Sequence, residues 1–140
     1  MKLAARAIVG IAAAALATTV ATPAQAVPAQ YNVLVVTCDV ADAGTDARVE
    51  ARLHGDITSP WFVLDHPAEE FERGSTDSFN FTMQDLGPIR SVDLAFDDHG
   101  DPWCIEQVIV RGPDGVSVHP YNNWLIRPYR KTFPLRLQAA

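Results

Sequence analysis

The chain has 140 residues, of which 11 are Lys or Arg and 17 are Asp or Glu, so its formal net charge is −6 at pH 7. This acidic balance argues against nucleic acids and strongly anionic surfaces as partners, because both repel a negative protein. The length suits one domain with a single hydrophobic core.

The first 26 residues have the pattern of a secretory signal peptide. Lys2 and Arg6 precede an apolar, Ala-rich run that is too short for a confident membrane span, and Ala24 to Ala26 form a small-x-small cleavage site. We expect cleavage after Ala26 and a secreted, extracellular chain with no transmembrane segment; a retained N-terminal anchor is the alternative. Losing Lys2 and Arg6 leaves 9 basic and 17 acidic residues, a net charge of −8.

The rest of the chain has the pattern of an all-β protein. Short runs rich in Val, Ile, Phe and Trp alternate with Gly, Pro and Asp clusters, which predicts an antiparallel sandwich or barrel of about eight strands. The two-residue period slips between Ile105 and Val108, which predicts a β-bulge. The predicted strands are Tyr31–Cys38, Ala47–Leu53, Trp61–Asp65, Ser78–Met83, Ser91–Phe96, Trp103–Val110, Val116–His119 and Trp124–Ile126.

The chain ends in a basic segment. We place a β-sandwich domain at residues 27–126 and a basic C-terminal tail at residues 127–140. Such a tail could touch a membrane or an acidic partner, whereas the plainer alternative is a packed terminal strand with ordinary positive charge. The basic residues of this segment are Arg127, Arg130, Lys131 and Arg136.

The chain has two cysteines, Cys38 and Cys104. Because exported proteins fold in oxidising compartments, we predict one disulfide between them. A loop of that length stabilises a protein by roughly 4 kcal/mol in the chain-entropy model. Neither CxxC nor Cys/His zinc spacing is present, so redox and zinc chemistry are not expected.

Three acidic segments lie at strand ends: Asp39–Asp46, Glu69–Asp77 and Asp97–Asp101. Several strand ends of a sandwich converge at one edge, where crowded carboxylates repel one another unless a cation or water separates them. Calcium accepts six to eight oxygen ligands at flexible geometry, so it suits such loops better than magnesium or zinc. Solvated turns that use Asp for local hydrogen bonds are the alternative.

The motifs of the chain resemble, in order and spacing, those of the PLAT domain, also called the lipoxygenase homology domain. They are YNVLVVTCD, AGTDARVEARLHG, FERGSTDSFNF, DLGPIRSVDLAFDDHGDPWCIEQVIV and NNWL, and together they run from Tyr31 to Leu125. The resemblance implies an eight-stranded antiparallel sandwich of two four-stranded sheets. It also implies a lipid-binding or protein-binding module whose loops bind calcium at one end in many members.

The resemblance also implies which residues would bind a metal. Asp42 and Glu69 match the family positions more loosely and are second-rank candidates. We expect Arg73 to pair with a nearby acid and Gly74 to relieve a turn. The six candidate ligands, from three loops, are Gly44, Thr45, Asp46, Glu70, Glu72 and Asp101.

The chain departs from the family in the loop before Gly-Thr-Asp. Members that bind membranes through calcium have exposed Trp or Phe there, whereas this chain has Val40 to Ala43, including the charged Asp42. These residues are poor lipid anchors. Trp61 is the other candidate anchor, although a Trp beside Phe62 in a β-run is more often packed. Both cysteines are further departures, since the family commonly has Gly and an aromatic residue there.

The sequence leaves three functions open. The favoured one is a secreted, monomeric, non-catalytic module that binds a lipid surface or a protein partner with the help of calcium. The second is a metal-independent docking or inhibitory protein. The third, a small hydrolase, is least favoured, because there is no GxSxG motif and the histidines lack HExxH spacing. The histidines are His54, His66, His99 and His119.

Overall fold

The structure is a computed structural model. The signal segment apart from Gly10, the acidic segment with Asp101, and the basic residues Arg127, Arg130 and Lys131 lie outside the described residues. Within the described part of the chain, no helix is long and apolar enough to cross a membrane. The residues that the structure describes are Gly10, 27–66, 68–96, 102–125 and 135–140.

Eight strands form the described fold. They are β1 (Ala29–Thr37), β2 (Val49–His54), β3 (Phe62–Val63), β4 (Thr76–Met83), β5 (Ser91–Phe96), β6 (Trp103–Gly112), β7 (Gly115–Leu125) and β8 (Leu135–Gln138). They make two four-stranded antiparallel sheets, which we call sheet A (order β4-β1-β6-β7) and sheet B (order β3-β2-β5-β8). The predicted all-β sandwich of two four-stranded sheets is confirmed.

Alternating side chains build the core between the sheets. In β1, Tyr31, Val33 and Val35 are buried while the residues between them are partly exposed. This period of two is what a strand with one face in the core requires. The largest fully buried side chain, Trp103 of β6, packs in the same core and donates its indole N–H to Thr37 Oγ1 at 3.1 Å.

The last two strands differ from the sequence prediction. The predicted strands at 116–119 and near 124–126 are one strand, β7, which passes through Pro120. Proline is tolerated there because β7 is an edge strand of sheet A. The eighth strand is β8, whose Leu137 pairs with Val92 of β5. The domain boundary predicted at residue 126 therefore leaves out a strand of the sandwich. Residues 135–138 form a packed terminal strand, which was the plainer alternative for the basic segment.

Two smaller details concern strand register. The bulge predicted in β6 is confirmed, because Val36 and Thr37 of β1 face Gln107 and Ile105, so Glu106 is an extra residue. The third strand is shorter than predicted, since only Phe62 and Val63 pair with β2. These breaks in pairing do not interrupt either sheet.

A buried carboxylate, Asp93, lies at the centre of the outer face of sheet B. Its side chain is fully buried, and its oxygens accept hydrogen bonds from Arg52 of β2 (2.7 Å), His54 of β2 (2.6 Å) and Arg136 of β8 (3.0 Å). Burial alone would raise the pKa of Asp93, but the hydrogen bonds from His54, Arg52 and Arg136 outweigh it and lower that pKa. Asp93 thus joins three strands of sheet B.

A buried histidine, His119, joins the edges of the two sheets. Its Nδ1–H donates to the Leu137 carbonyl of β8 at 3.2 Å, and its Nε2 lies 2.8 Å from the Ser117 hydroxyl, which donates to it. Burial lowers the pKa of His119. The folded protein therefore holds this ring neutral at pH values where the unfolded chain begins to bind a proton.

This neutral ring makes stability depend on pH. At pH values above an ordinary histidine pKa of about 6.5, His119 is neutral in both the folded and the unfolded chain. Its contribution to the free energy of unfolding is then fully present. Below that value the unfolded chain binds more protons, so the free energy of unfolding should fall by up to about 1.4 kcal/mol per pH unit until the folded pKa is reached. Urea unfolding of wild type and His119→Gln between pH 7.5 and about 5 measures this. Equal slopes for the two proteins would contradict the assignment.

Candidate functional site

Loops from both sheets meet at one end of the sandwich. Neighbouring strands run antiparallel in both sheets, so the connections β1–β2, β3–β4, β5–β6 and β7–β8 all leave from the same end. We use the name acidic rim for the described parts of the first three connections: residues 38–48, 64–66 with 68–75, and Pro102.

Backbone hydrogen bonds hold the first loop between the second loop and β6. The Ala43 carbonyl accepts the Cys104 N–H at 2.9 Å, and the Thr45 N–H donates to the Phe71 carbonyl at 3.1 Å. The predicted disulfide is confirmed: Cys38 and Cys104 are joined, with Cα atoms 5.4 Å apart. The Cys38 carbonyl also accepts the Gly74 N–H at 3.0 Å. A covalent bond and hydrogen bonds therefore hold the loops at this end of the protein together.

The Gly-Thr-Asp segment is a close packing point as well as a turn. A Cβ atom on Gly44 would lie 2.6 Å from the Phe71 carbonyl oxygen, so no larger residue fits without movement. Thr45 is buried, and its hydroxyl accepts the Ala47 N–H at 3.2 Å. These contacts place Asp46 at the surface of the rim.

A buried carboxylate that the sequence analysis did not single out, Asp77, orders the second loop. Its side chain accepts hydrogen bonds from the Phe71 N–H and the Ser75 hydroxyl, both at 2.9 Å, and lies 3.2 Å from His66 Nε2. Phe71 has a positive φ of 56°. That conformation is unfavourable for a bulky residue, and its packing on Trp103 at a ring distance of 4.8 Å helps to hold it. In the sequence Asp77 is one of several carboxylates of the segment Glu69–Asp77, and nothing local distinguishes it from the others.

The rim contains a groove of about 560 Å³. Asp46 and Glu72, which are far apart in the chain, both line it. Pro102 lines it too, and Pro102 directly follows the segment that contains Asp101. The structure therefore brings together the described ends of all three predicted loops. The full lining comprises Asp42, Ala43, Gly44, Thr45, Asp46, Glu72, Arg73, Pro102 and Trp124.

A second cavity, of about 290 Å³, adjoins the groove and shares Thr45, Asp46 and Glu72 with it. Glu70 lines this second cavity and not the groove, and its carboxylate accepts the His66 N–H at 2.6 Å. The loosely matched Glu69 lies beside it. Burial, reinforced by the neighbouring Asp65, raises the pKa of Glu70. Crowded carboxylates thus continue from the groove into this cavity.

One basic contact, between Arg73 and Asp39, limits the negative charge of the rim. Arg73 Nε donates to Asp39 Oδ1 at 3.0 Å, which confirms the pairing expected for this arginine. Both side chains are well exposed, so the pair contributes little to stability. Gly74 has a positive φ of 70°, as expected for the residue that relieves the turn. No such pair with Asp46 or Glu72 is among the salt bridges of the described residues.

The donor set of the rim partly fits a calcium ion. Asp46, Glu72 and backbone oxygens are hard oxygen donors, the kind that calcium prefers. Within the described residues, however, no three His, Cys, Asp or Glu side chains form a group able to hold a metal. The third predicted carboxylate, Asp101, lies outside those residues. The Glu70 carboxylate already accepts the His66 N–H. Among the predicted ligands, Glu70 is therefore the least suited to such a site.

Trp61 packs, as is more often the case for a Trp beside Phe62 in a β-run, whereas Trp124 lies at the rim. Trp61 precedes β3 at the end opposite the rim, where the Arg52 guanidinium lies 4.5 Å from the ring centroid. Trp61 therefore packs and is no part of the rim. Trp124, which the sequence analysis treated only as a strand residue, lines the groove, and Val40 on the first loop is 44% exposed.

Two four-stranded sheets with acidic loops at one end place this protein in the class of compact, C2-like β-sandwich domains. The PLAT/LH2 domain family matches residues 31–134. The chain belongs to this family, so the predicted family is confirmed, and the PLAT domain is a non-catalytic module.

Curated relatives and a solved structure agree with this membership. Lipoxygenase homology domain-containing protein 1 of Homo sapiens is 38% identical over 101 residues, which cover 69% of this chain and 5% of the relative. The allene oxide synthase-lipoxygenase protein of Plexaura homomalla is 32% identical over 111 residues, or 69% of this chain and 10% of the relative. This chain therefore spans a small part of those proteins.

The crystal structure of coral 8R-lipoxygenase superimposes with a TM-score of 0.68 at 29% identity, over 79% of this chain and 17% of that chain. That enzyme is described as activated by calcium via a C2-like domain.

Proposed function

We propose that this chain is a secreted, non-catalytic PLAT module whose acidic rim binds a lipid surface with the help of calcium. The observation that supports this most directly is the groove that Asp46 and Glu72 share with Pro102. These two carboxylates come from separate loops, and carboxylate oxygens are the donors that a hard cation prefers. Calcium activation of the coral lipoxygenase through its C2-like domain supports the same function.

The residues of the acidic rim would have different roles in binding calcium. Asp46 and Glu72 would hold the ion, with backbone oxygens of Gly44 and Thr45 and with Asp101 completing the set. When bound, calcium would supply positive charge at a surface that is otherwise negative. Without that charge the rim of a protein with a net charge of −6 repels anionic head groups.

The apolar contribution to lipid binding is small. Val40 is exposed on the first loop, and Trp124 lines the groove. An indole at a lipid interface contributes more than an aliphatic side chain, because its N–H can stay hydrated. We therefore propose shallow docking in which charge contributes more than insertion, and salt should weaken it.

A second candidate function, metal-independent docking to a secreted protein, rests on one observation. The disulfide and the Ala43–Cys104 and Thr45–Phe71 hydrogen bonds hold the first loop of the rim in place. An ordered edge of this kind can bind a protein as it stands. The disulfide also supports export of the chain, since oxidising compartments favour such bonds.

Vesicle sedimentation tests the lipid function. In calcium, we expect the protein to sediment with phosphatidylcholine vesicles that contain phosphatidylserine, and to stay in the supernatant with chelator. Glu72→Gln should reduce the bound fraction about tenfold, because it removes one charged ligand. The matched control, Asp56→Asn, changes an exposed carboxylate at the opposite end and should bind as wild type does. Equal binding with calcium and chelator, or none in either, would contradict the proposal.

A further inference from the structure

The edge strand β4 leaves one side of sheet A open. All of β4 from Thr76 to Met83 pairs with β1 in one continuous register. On its other side no strand pairs with it within the described residues. An unpaired edge of this length presents a row of free N–H and C=O groups to solvent.

The hydrogen-bonding pattern shows which groups face outward. The Thr37 N–H donates to the Ser75 carbonyl at 3.0 Å, so this pair belongs to the hydrogen-bonded set. Such pairs alternate along an antiparallel ladder. Asp77, Phe79 and the next odd-numbered residues therefore bond to β1. The backbone groups of the intervening residues point to the open side: Thr76, Ser78, Asn80 and Thr82.

The other three sheet edges carry features that discourage pairing, and β4 does not. The edge strand β3 has only two residues, β7 contains Pro120 and a register shift, and β8 is short and carries Arg136. Strands protect their edges by these devices. In β4 there is no Pro, Lys, Arg or bulge, and its one charged side chain, Asp77, is buried.

Charge indicates which partner fits this edge. The chain has a net charge of −6, and its carboxylates gather at the acidic rim and around Asp56, Asp85 and Asp114 at the other end. Two copies therefore repel each other over most of their surfaces. The exposed side chains of β4 are hydroxyls and amides. Of the four sheet edges described above, β4 is therefore the one along which a second copy can approach without meeting like charges or a feature that prevents strand pairing.

We propose that two copies of this chain pair antiparallel through β4 and form a continuous eight-stranded sheet. Pairing centred on Phe79 places Ser78 of one copy opposite Asn80 of the other, and each such pair can exchange two backbone hydrogen bonds. The Asn32 side chain already donates to Ser78 and Asn80 and so fixes them on the outer face. The two acidic rims then point in opposite directions.

One strand pair buries less than the roughly 1,200 Å² of a stable interface, so the dimer is weak and depends on concentration. Sedimentation equilibrium of the purified chain up to about 1 mM, the range of weak association, should show a rising mass. Hydrogen exchange of the Ser78, Asn80 and Thr82 amides should slow over the same range. This test needs no calcium or lipid, so its outcome is independent of the proposed function.

Variants complete the test. Asn80→Lys, and separately Ser78→Lys, should weaken dimerisation about tenfold or more, because in this register each lysine lies diagonally across from the same lysine of the second copy. Val116→Lys, on the edge strand β7, should dimerise as wild type does. Unchanged melting temperatures show that the variants fold. Monomer mass at every concentration, or a dimer that neither β4 lysine affects, would overturn the proposal. Slow exchange of β4 amides at monomer mass would also overturn it, since another segment of the same chain would then cover this edge.

Discussion

Replacing Cys38 and Cys104 by alanine together is expected to lower the free energy of unfolding by about 4 kcal/mol. The two residues are 66 apart in sequence, so their bond closes a long loop and removes much of the freedom of the unfolded chain. The bond also ties the end of β1 to the start of β6, beside the Ala43–Cys104 hydrogen bond. Guanidinium unfolding measures the change.

Reduction of the wild-type protein is the matched control for this experiment. It should lower the midpoint of unfolding by nearly the same amount as the double substitution, because both remove the same bond. Alanine is preferred to serine since Cys104 is only 5% exposed, and a buried hydroxyl would add its own cost. A loss below about 1 kcal/mol in both experiments would contradict the stabilising role assigned to this bond.

Asp93→Asn is expected to cost about 3 to 5 kcal/mol, because it leaves Arg52 and Arg136 without their anionic partner. Asp93 is fully buried and accepts hydrogen bonds from β2 and β8, so one substitution affects both neighbours of β5. Since the pKa of Asp93 is lowered by folding, its ionised form stabilises the protein above an ordinary aspartate pKa of about 3.9. That contribution should disappear as pH falls through the lower, folded pKa.

An exposed ion pair provides the control for Asp93. Asp56 and Arg90 are 2.8 Å apart, but their side chains are 60% and 68% exposed. Asp56→Asn should therefore change stability by less than about 1 kcal/mol. Thermal and urea unfolding of both variants separate the two cases. Similar losses of unfolding free energy for Asp93→Asn and Asp56→Asn would contradict the claim that the buried Asp93 contacts stabilise the protein more than an exposed ion pair does.

The fold could be predicted where local pattern and tertiary structure agree. The alternation of β1 and the β-rich run of β5 gave strands within two residues of those observed, and the slipped period gave the bulge at Glu106. β7 was predicted as two short strands, the first ending before Pro120, although an edge strand accepts a proline. β8 was missed because its alternation of Leu with polar residues spans only four residues within a basic segment.

The candidate site could be predicted in outline. Asp46 and Glu72 line one groove, as a common rim requires, although their part in metal binding stays a prediction. What could not be predicted depends on contacts between distant segments. Nothing local shows that Asp77 orders the second loop or that Trp124 reaches the groove, since both depend on how the strands are arranged in the two sheets. The role of Asp101 stays a prediction.

Calorimetric titration of calcium into the purified protein tests calcium binding at the rim most directly. Wild type should give a saturable heat, and Glu72→Gln and Asp46→Asn should each weaken binding about tenfold or more, because each removes a charged ligand. Asp56→Asn, at the opposite end, should titrate like wild type. No saturable heat with the wild-type protein, or equal affinity in Glu72→Gln and Asp46→Asn, would contradict a cation site formed by these loops.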